Sequence, residues 1–301
     1  MRVFAFLDVD HVPTAWAVMR GMLISARCNP GYIPGCLSFM LAGIIFHGNN
    51  ARLHNELIIE DYRLKHFPSK TSRLEGLYFF ESRAEALRIA NSWGGHFVEK
   101  NLYELEFRPS VAPNRLDSDW ITYENDLTNS KWIDDYWRGT PRSPAPAWEI
   151  IGHGVAVVLD MQARARAYDL VNAEFPDCWI AIEMARIACE MDASPAGTIT
   201  PWLLKEDQTS AMLAYLLRNA EYNDKQTIDA MVRHQDFGRL ATRWRAADSI
   251  KMPAFQPWMR KLRTEWTAVS AVAARLPSVH SVQMMELTNT AVPSAGPGSK
   301  Y

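Results

Sequence analysis

The chain has 301 residues, of which 48% are hydrophobic, 22% charged and 11% aromatic, and its formal net charge is −2. This composition excludes collagen-like, intrinsically disordered and disulfide-scaffold proteins, and the charge argues against a strongly basic nucleic-acid-binding protein. The four cysteines form neither a disulfide framework nor a zinc-binding spacing, so we expect reduced thiols and a cytoplasmic location.

The longest apolar run, residues 37–46, is about half of the ~20 residues that a membrane-spanning helix needs, so we predict no membrane partner. The residues before it, 1–40, have no clean hydrophobic period because Pro13, Pro30 and Pro34 interrupt it. We interpret residues 1–40 as an N-terminal appendage of unclear structure.

Residues 41–161 mix strand patterns with one helix pattern, which is typical of an α+β domain. The apolar run 41–46 reads as a buried strand that stops at His47-Gly48, and GLYFF at 76–80 reads as a second strand. Ser82 is a cap signal for a short helix that ends at Gly94-Gly95. Further strands are predicted by period-two alternation or apolar runs at 102–107, 148–151 and 155–159.

Residues 162–286 have a helical texture, with helices predicted over 178–191, 209–220 and 255–276. The last segment, 287–301, is rich in Gly, Pro and Ser, and we expect a disordered tail.

Three features of the middle region suggest chemistry. His47-Gly48 places an imidazole beside backbone that a flat ligand can approach, although a turn histidine is the simpler interpretation. Glu149 stands in an otherwise apolar strand segment, where a carboxylate lies either at a rim or in a functional site. Tyr78 in GLYFF is either a core ring or a ligand platform.

The order of these pieces resembles the ADP-ribosyltransferase fold, in particular its His–Tyr–Glu branch, which includes the poly(ADP-ribose) polymerases and diphtheria-type toxins. The resemblance covers residues 41–161 and rests on a His-Gly strand end, a Gly-Leu-Tyr-Phe strand before an alanine-rich helix, and a late glutamate. The same region also resembles an uncharacterised bacterial and phage family thought to share that fold, through the following motifs: Ser72-Arg73-Leu74, Leu102-Tyr103-Glu104, Tyr136-Trp137-Arg138-Gly139 and Ala147-Trp148-Glu149.

The resemblance implies a split β-sheet domain that uses NAD as substrate, releases nicotinamide and transfers ADP-ribose to a macromolecular acceptor, protein or nucleic acid, without a metal. It implies that His47 bonds the ribose hydroxyls and Gly48 the nicotinamide carboxamide. Tyr78 would stack on the nicotinamide ring, and Arg73 would meet the pyrophosphate. Glu149 would be the catalytic carboxylate that stabilises the positive charge developing on the ribose.

Several alternatives remain open on the sequence. His54 is a second candidate for the histidine, and His153 is a weaker pocket candidate. The chain could also be an NAD glycohydrolase, or a non-catalytic interaction protein with a degenerate NAD pocket. Residues 231–265 carry eight basic and three acidic residues, with Trp244 and Trp258 among them and Trp266 next to them, so they could form a nucleic-acid-binding surface or simply a charged helix face.

Overall fold

The computed structural model of the protein describes residues 1–29, 32–47, 50–93, 97–124, 126–191, 196–218, 229, 231–234, 236–245 and 250–279. Within these residues the strands are β1 (Arg2–Phe6), β2 (Met22–Ile24), β3 (Leu77–Phe79), β4 (Leu102–Pro109), β5 (Asn114–Asp117), β6 (Trp148–Gly152), β7 (Gly154–Val158), β8 (Ile199–Lys205), β9 (Ser210–Leu217) and β10 (Arg260–Arg263). The helices are α1 (Val12–Arg20), α2 (Phe39–His47), α3 (Asn50–His66), α4 (Arg83–Trp93), α5 (Asp119–Tyr123), α6 (Ser130–Arg138), α7 (Met161–Glu174), α8 (Trp179–Glu190), α9 (Phe237–Arg245) and α10 (Ser270–Ala273). The chain is therefore a mixed α+β protein.

The strands form three antiparallel sheets. The first sheet has the order β1-β4-β7-β2, the second β3-β6-β5 and the third β10-β9-β8. The first two sheets are joined directly, because the backbone N–H of Phe4 donates to the carbonyl of Phe80 (3.0 Å) and the N–H of Phe80 donates back to Phe4 (2.8 Å). This junction brings the end of β1 beside the second sheet.

The described residues among the first 40 are part of the fold, so the interpretation of this segment as an appendage is wrong. β1 pairs with β4 and β2 pairs with β7, which makes them the two outer strands of the first sheet. Short turns separate these strands from α1, whose Trp16 is fully buried and donates its Nε1–H to the carbonyl of Gly197 (2.7 Å).

The apolar run 41–46 was predicted as a strand and is part of helix α2. A short apolar run cannot distinguish a buried strand from a buried helix by its period. The helix start comes from Ser38, whose Oγ accepts the N–H of Leu41 (3.2 Å) and whose carbonyl accepts the N–H of Ala42 (2.9 Å). His47 therefore lies at the C-terminal end of a helix.

The region after residue 162 contains strands as well as helices, which corrects the prediction of a helical region. The helix predicted over 178–191 is confirmed by α8, but 209–220 contains β9 and 255–276 contains β10 between short 3₁₀ turns. β9 lies between β8 and β10 and is apolar on both faces, so its sequence lacks the alternation that marks a half-buried strand. The predicted tail 287–301 lies outside the described residues.

The other predicted elements of the middle region are confirmed: β3, α4, β4, β6 and β7. One cluster of buried apolar side chains runs from β1 through the second sheet to the third sheet, with Val3, Ile151 and Leu213 among its members. Among the described residues, none of the helices combines the length and the apolar character that a bilayer crossing requires.

Candidate active site

A cavity of about 820 Å³ lies between the end of β1, helix α2 and the second sheet. Its wall includes four residues predicted from separate parts of the sequence: His47, Arg73, Tyr78 and Glu149. Gly48, the fifth predicted residue, lies outside the described residues. The cavity has the size typical of small-molecule and cofactor sites, which is roughly 300–1,000 Å³.

Glu149 is held on the cavity face of the second sheet by strand register. Glu149 and Ile151 are two residues apart on β6, and Ile151 is paired with Tyr78 on β3, so the carboxylate and the phenol ring lie on one face. The pairing of Glu149 with Leu116 on β5 fixes its other side. The residue is only 3% exposed.

The Glu149 carboxylate makes two hydrogen bonds, and both use Oε1. This oxygen accepts Nη1–H of Arg73 at 2.5 Å and the hydroxyl of Tyr136 at 2.9 Å. Within the described part of the chain no residue bonds Oε2, and this oxygen is not enclosed, so it faces the cavity. Burial raises the pKa of Glu149, while Arg73 and Tyr136 oppose that rise.

Arg73 lies in the loop between α3 and β3 and joins two buried carboxylates. Its Nε and Nη2 donate to both oxygens of Glu56, at 2.8 and 3.1 Å, and its Nη1 donates to Glu149 and to the Tyr136 hydroxyl. Four of its five N–H groups are thereby committed. Burial alone would lower the pKa of Arg73, but Glu149 and Glu56 raise it well above its usual value, so the guanidinium stays charged.

Tyr78 is anchored at its hydroxyl, which donates to the carbonyl of Arg73 at 2.5 Å. The guanidinium carbon of Arg73 lies 4.9 Å from the centre of the Tyr78 ring, in cation–π geometry. Burial raises the pKa of Tyr78 well above its ordinary value, so the phenol remains protonated and keeps this bond. The ring is therefore fixed in the cavity wall.

Tyr136 and Glu56 belong to this cluster and were not predicted as site residues. Tyr136 lies on the buried face of α6, one turn after Trp132, and Glu56 lies on the buried face of α3 beside Leu53 and Leu57. Tyr136 is indistinguishable from a core ring in the sequence. Glu56 could have been predicted from the sequence, because a carboxylate at the apolar positions of a helix is either paired or functional.

His47 and His11 also line the cavity, and their ring centroids lie 6.3 Å apart. His47 is about half exposed, and its Nε2 lies 3.3 Å from Oδ2 of Asp8, which follows β1. His11 begins α1, is buried, and has its Nδ1 3.0 Å from the Thr14 hydroxyl. Burial lowers the pKa of His11 to about 4, so this imidazole is neutral. His11 was not predicted as a site residue, because a histidine just before a helix that begins with a proline is typical of a turn.

The other histidine candidates do not line the cavity. His54 lies on α3 outside the cavity wall, and His153 lies between β6 and β7 with its Nδ1 enclosed. Burial lowers the pKa of His153. His66 packs on the Tyr62 ring, with centroids 4.2 Å apart.

The described residues of the basic segment 231–265, together with the adjoining Trp266, do not present a row of stacking rings. Trp244 and Trp266 are both 5% exposed, and the guanidinium of Arg243 packs over Trp179. The segment is divided between α9 and β10, where Lys261 pairs with Glu206.

A second cluster of metal-ligand types is formed by Glu190, His234 and Asp236. His234 accepts the Asp236 backbone N–H through Nδ1 and is therefore protonated at Nε2, which lies 3.0 Å from Glu190. Arg186 pairs with both carboxylates, at 3.1 and 2.8 Å. Because Arg186 already pairs with both carboxylates and the imidazole donates to Glu190, the cluster is an ion-pair network.

Residues 39–164 match the model of a protein family described as "Protein of unknown function (DUF2441)". The matched segment runs from α2 to the start of α7 and contains Glu56, Arg73, Tyr78, Tyr136 and Glu149. It does not include β1, the strand that joins the first two sheets. No curated protein matches the chain.

Proposed function

We propose that the protein is an ADP-ribosyltransferase with an ADP-ribosyltransferase-like split sheet, which cleaves NAD and transfers ADP-ribose to a macromolecular acceptor. The observation that carries this proposal is that His47, Arg73, Tyr78 and Glu149 line one cavity. These residues are far apart along the chain, and the resemblance assigns all of them to one substrate. Two antiparallel sheets that meet beside the cavity are consistent with the proposed fold.

In the proposed reaction the C–N bond between ribose and nicotinamide breaks, and its electron pair leaves with nicotinamide. The acceptor's nucleophilic atom bonds to the anomeric carbon, and its proton passes to solvent. The transition state resembles an oxocarbenium ion, so a fixed negative charge in a water-poor site lowers its energy. Glu149 provides that charge, and its Oε2 can accept the 2′-hydroxyl of the ribose.

The remaining residues position the substrate. The nicotinamide ring would stack on the face of Tyr78 that Arg73 does not cover, and His47 would bond the ribose hydroxyls from across the cavity. Because four N–H groups of Arg73 are bonded within the protein, it would act on the pyrophosphate mainly through its charge. Lys100, which also lines the cavity and is well exposed, can add a direct contact.

The test is nicotinamide release from NAD by the wild type and by Glu149→Gln, which keeps the side-chain volume and removes the charge. We expect a loss of at least about 100-fold, the usual cost of removing one stabilising group from a transition state. Glu183→Gln is the matched control, since Glu183 is also buried but lies on α8 outside the cavity. Equal release by Glu149→Gln, or no release by the wild type, would contradict the proposal.

The acceptor is tested with isotopically labelled NAD in a cell extract, followed by mass spectrometry of the labelled material. Labelled macromolecules support transfer, whereas nicotinamide release with free ADP-ribose as the sole product indicates a glycohydrolase. One observation favours the non-catalytic alternative, which is that Arg73 already neutralises Glu149. That alternative predicts no nicotinamide release, and a degenerate pocket should leave the melting temperature unchanged by NAD.

A further inference from the structure

Glu149 is held by contacts that leave it one accessible oxygen. A carboxylate on a strand can rotate about its side-chain torsions, and a free carboxylate offers two equivalent oxygens. Here Oε1 is bonded from two directions, by Arg73 Nη1 and by the Tyr136 hydroxyl, which itself accepts a second Nη1–H of Arg73 at 2.7 Å. The three groups form a closed triangle of hydrogen bonds that fixes the carboxylate plane.

Arg73 is in turn fixed from the other side. Glu56 receives two parallel N–H···O bonds from it, the bidentate geometry that gives an arginine one orientation. Glu56 is fully buried and does not line the cavity, and Arg52 Nη2 bonds it at 2.9 Å. Burial raises the pKa of Glu56, but Arg73 and Arg52 outweigh burial and hold it below its usual value, so Glu56 remains charged.

We infer that Tyr136 and Glu56 are positioning residues for Glu149: Tyr136 fixes Oε1 directly and Glu56 fixes Arg73, so that Oε2 alone is presented to the substrate. The catalytic part of this inference rests on the proposed function. The part about how the Glu149 carboxylate is oriented does not depend on that function. Neither residue needs to touch the substrate, because each acts through Glu149 or Arg73.

The groups that face Glu149 come from four parts of the fold. They are Arg73 from the loop before β3, Tyr78 from β3, Arg52 and Glu56 from α3, and Tyr136 from α6. Tyr136 stabilises the charged form of Glu149 by donating to it, and the negative charge of Glu56 destabilises that form. Removal of these two groups should therefore change the protonation of Glu149 in opposite directions.

The experiment uses full-length protein labelled with carbon-13 at glutamate Cδ, whose NMR signals report protonation. The Glu149 signal is assigned by its absence in Glu149→Gln. In Tyr136→Phe, which keeps the buried ring, the Glu149 titration midpoint should rise by about one unit, since a hydrogen bond to a charge is lost. In Glu56→Gln the midpoint should fall, and the double variant should return towards the wild type. Opposite shifts cannot arise from general loosening of the fold.

Tyr168→Phe is the matched control, because the Tyr168 hydroxyl also donates to a glutamate, Glu183, at 2.7 Å but lies on α7. It should leave the Glu149 midpoint unchanged. The same variants are then assayed for nicotinamide release against pH. The acidic limb, where Glu149 becomes protonated, should move to higher pH in Tyr136→Phe and to lower pH in Glu56→Gln.

The two readouts separate the two hypotheses. Unchanged NMR midpoints in both variants would overturn the inference, whatever the enzyme assay shows. Shifted midpoints together with shifted acidic limbs would support it. Shifted midpoints without any nicotinamide release by the wild type would refute the proposed function and, with it, the catalytic part of the inference.

Discussion

At the scale of single residues, Arg73 holds together a cluster of buried charged and phenolic side chains. Two carboxylates, Glu56 and Glu149, and two phenol rings, Tyr78 and Tyr136, contact one guanidinium. A lysine could not replace it, because a single ammonium cannot form a bidentate pair with Glu56 and also donate to Glu149. Removal of the charge would leave both carboxylates buried without their shared cation.

We therefore predict that Arg73→Met lowers the free energy of unfolding by about 3–5 kcal/mol near neutral pH, the usual cost of breaking a buried ion pair. The sign of its pH dependence follows from the carboxylates. Burial already raises the folded-state pKa of Glu149, and without Arg73 it rises further, so protonation at lower pH relieves the penalty. Denaturant unfolding at about pH 7 and about pH 5 should show the smaller difference from wild type at the lower pH.

Arg2→Met is the control for Arg73→Met. The Arg2–Glu104 pair is a salt bridge between exposed groups on β1 and β4, and such pairs add little stability. Equal effects of the two substitutions, or a penalty at Arg73 that grows on acidification, would contradict the charge-pairing argument.

His11 gives a second prediction at this scale. Its folded-state pKa is about 4 because of burial, whereas an unfolded histidine titrates near 6.5. Between these values the unfolded chain binds a proton that the folded chain does not, so stability falls as the pH is lowered. Protonation linked to His11 alone should lower the free energy of unfolding by about 3 kcal/mol across that interval.

The measurement is the free energy of unfolding of the wild type and of His11→Gln between about pH 7 and about pH 4. The variant should lose less stability on acidification. His66→Gln removes an exposed imidazole and is the matched control, expected to follow the wild type. Parallel curves for the wild type and His11→Gln would show that the buried imidazole does not carry this dependence.

The sequence revealed some site residues and concealed others for a physical reason. Glu149 was recognisable because a charge within an apolar strand needs a partner or a purpose. Tyr136 was not recognisable, since its helical spacing with Trp132 is that of any core ring. Arg73 was found through its place in a motif, but its pairing with Glu56 depends on how the loop folds back on α3, which no local pattern encodes.

At the scale of elements, two of the errors concern elements whose sequences are almost entirely apolar. α2 was predicted as a strand and is a helix, whereas β9 was predicted as a helix and is a strand. The hydrophobic period identifies elements that have one solvent-exposed face, such as β4 and α4. It cannot distinguish a helix from a strand when the segment is apolar throughout. β1 was missed because it is only five residues long and its partner, β4, is distant in sequence.

β1 provides a prediction about this scale. Ala5 is 1% exposed between β4 and the second sheet, so Ala5→Asp should lower the free energy of unfolding by more than about 3 kcal/mol, because it buries an unpaired charge. Ala51→Asp is the matched control, since Ala51 is exposed in the first turn of α3, where a negative charge is tolerated. Equal denaturation midpoints for these two variants would revive the interpretation of residues 1–40 as an appendage.

At the scale of the whole molecule, the cavity forms where several parts of the chain meet, and three of these parts carry the residues argued above. The end of β1 contributes Asp8, α2 contributes Gly43 and His47, and the second sheet contributes Tyr78 and Glu149. A ligand that binds this cavity stabilises all three parts together, since it binds only the folded chain. Ligand binding should therefore appear as an increase in the melting temperature of the protein.

We predict that NAD at about 100 times its Kd raises the melting temperature by about 4 °C, from the mass-action gain divided by the unfolding entropy of a chain of this size. Gly43→Phe should abolish that increase. Gly43 lines the cavity on α2, and a Cβ atom added to it would meet no other atom within 4 Å, so the phenylalanine ring would occupy the space of the ligand. Gly238→Phe is the matched control: it also lies on a helix with open space beyond Cβ, but on α9 away from the cavity. A full NAD-dependent increase in Gly43→Phe would place the binding site elsewhere, and no increase in the wild type at any NAD concentration would remove NAD as the ligand.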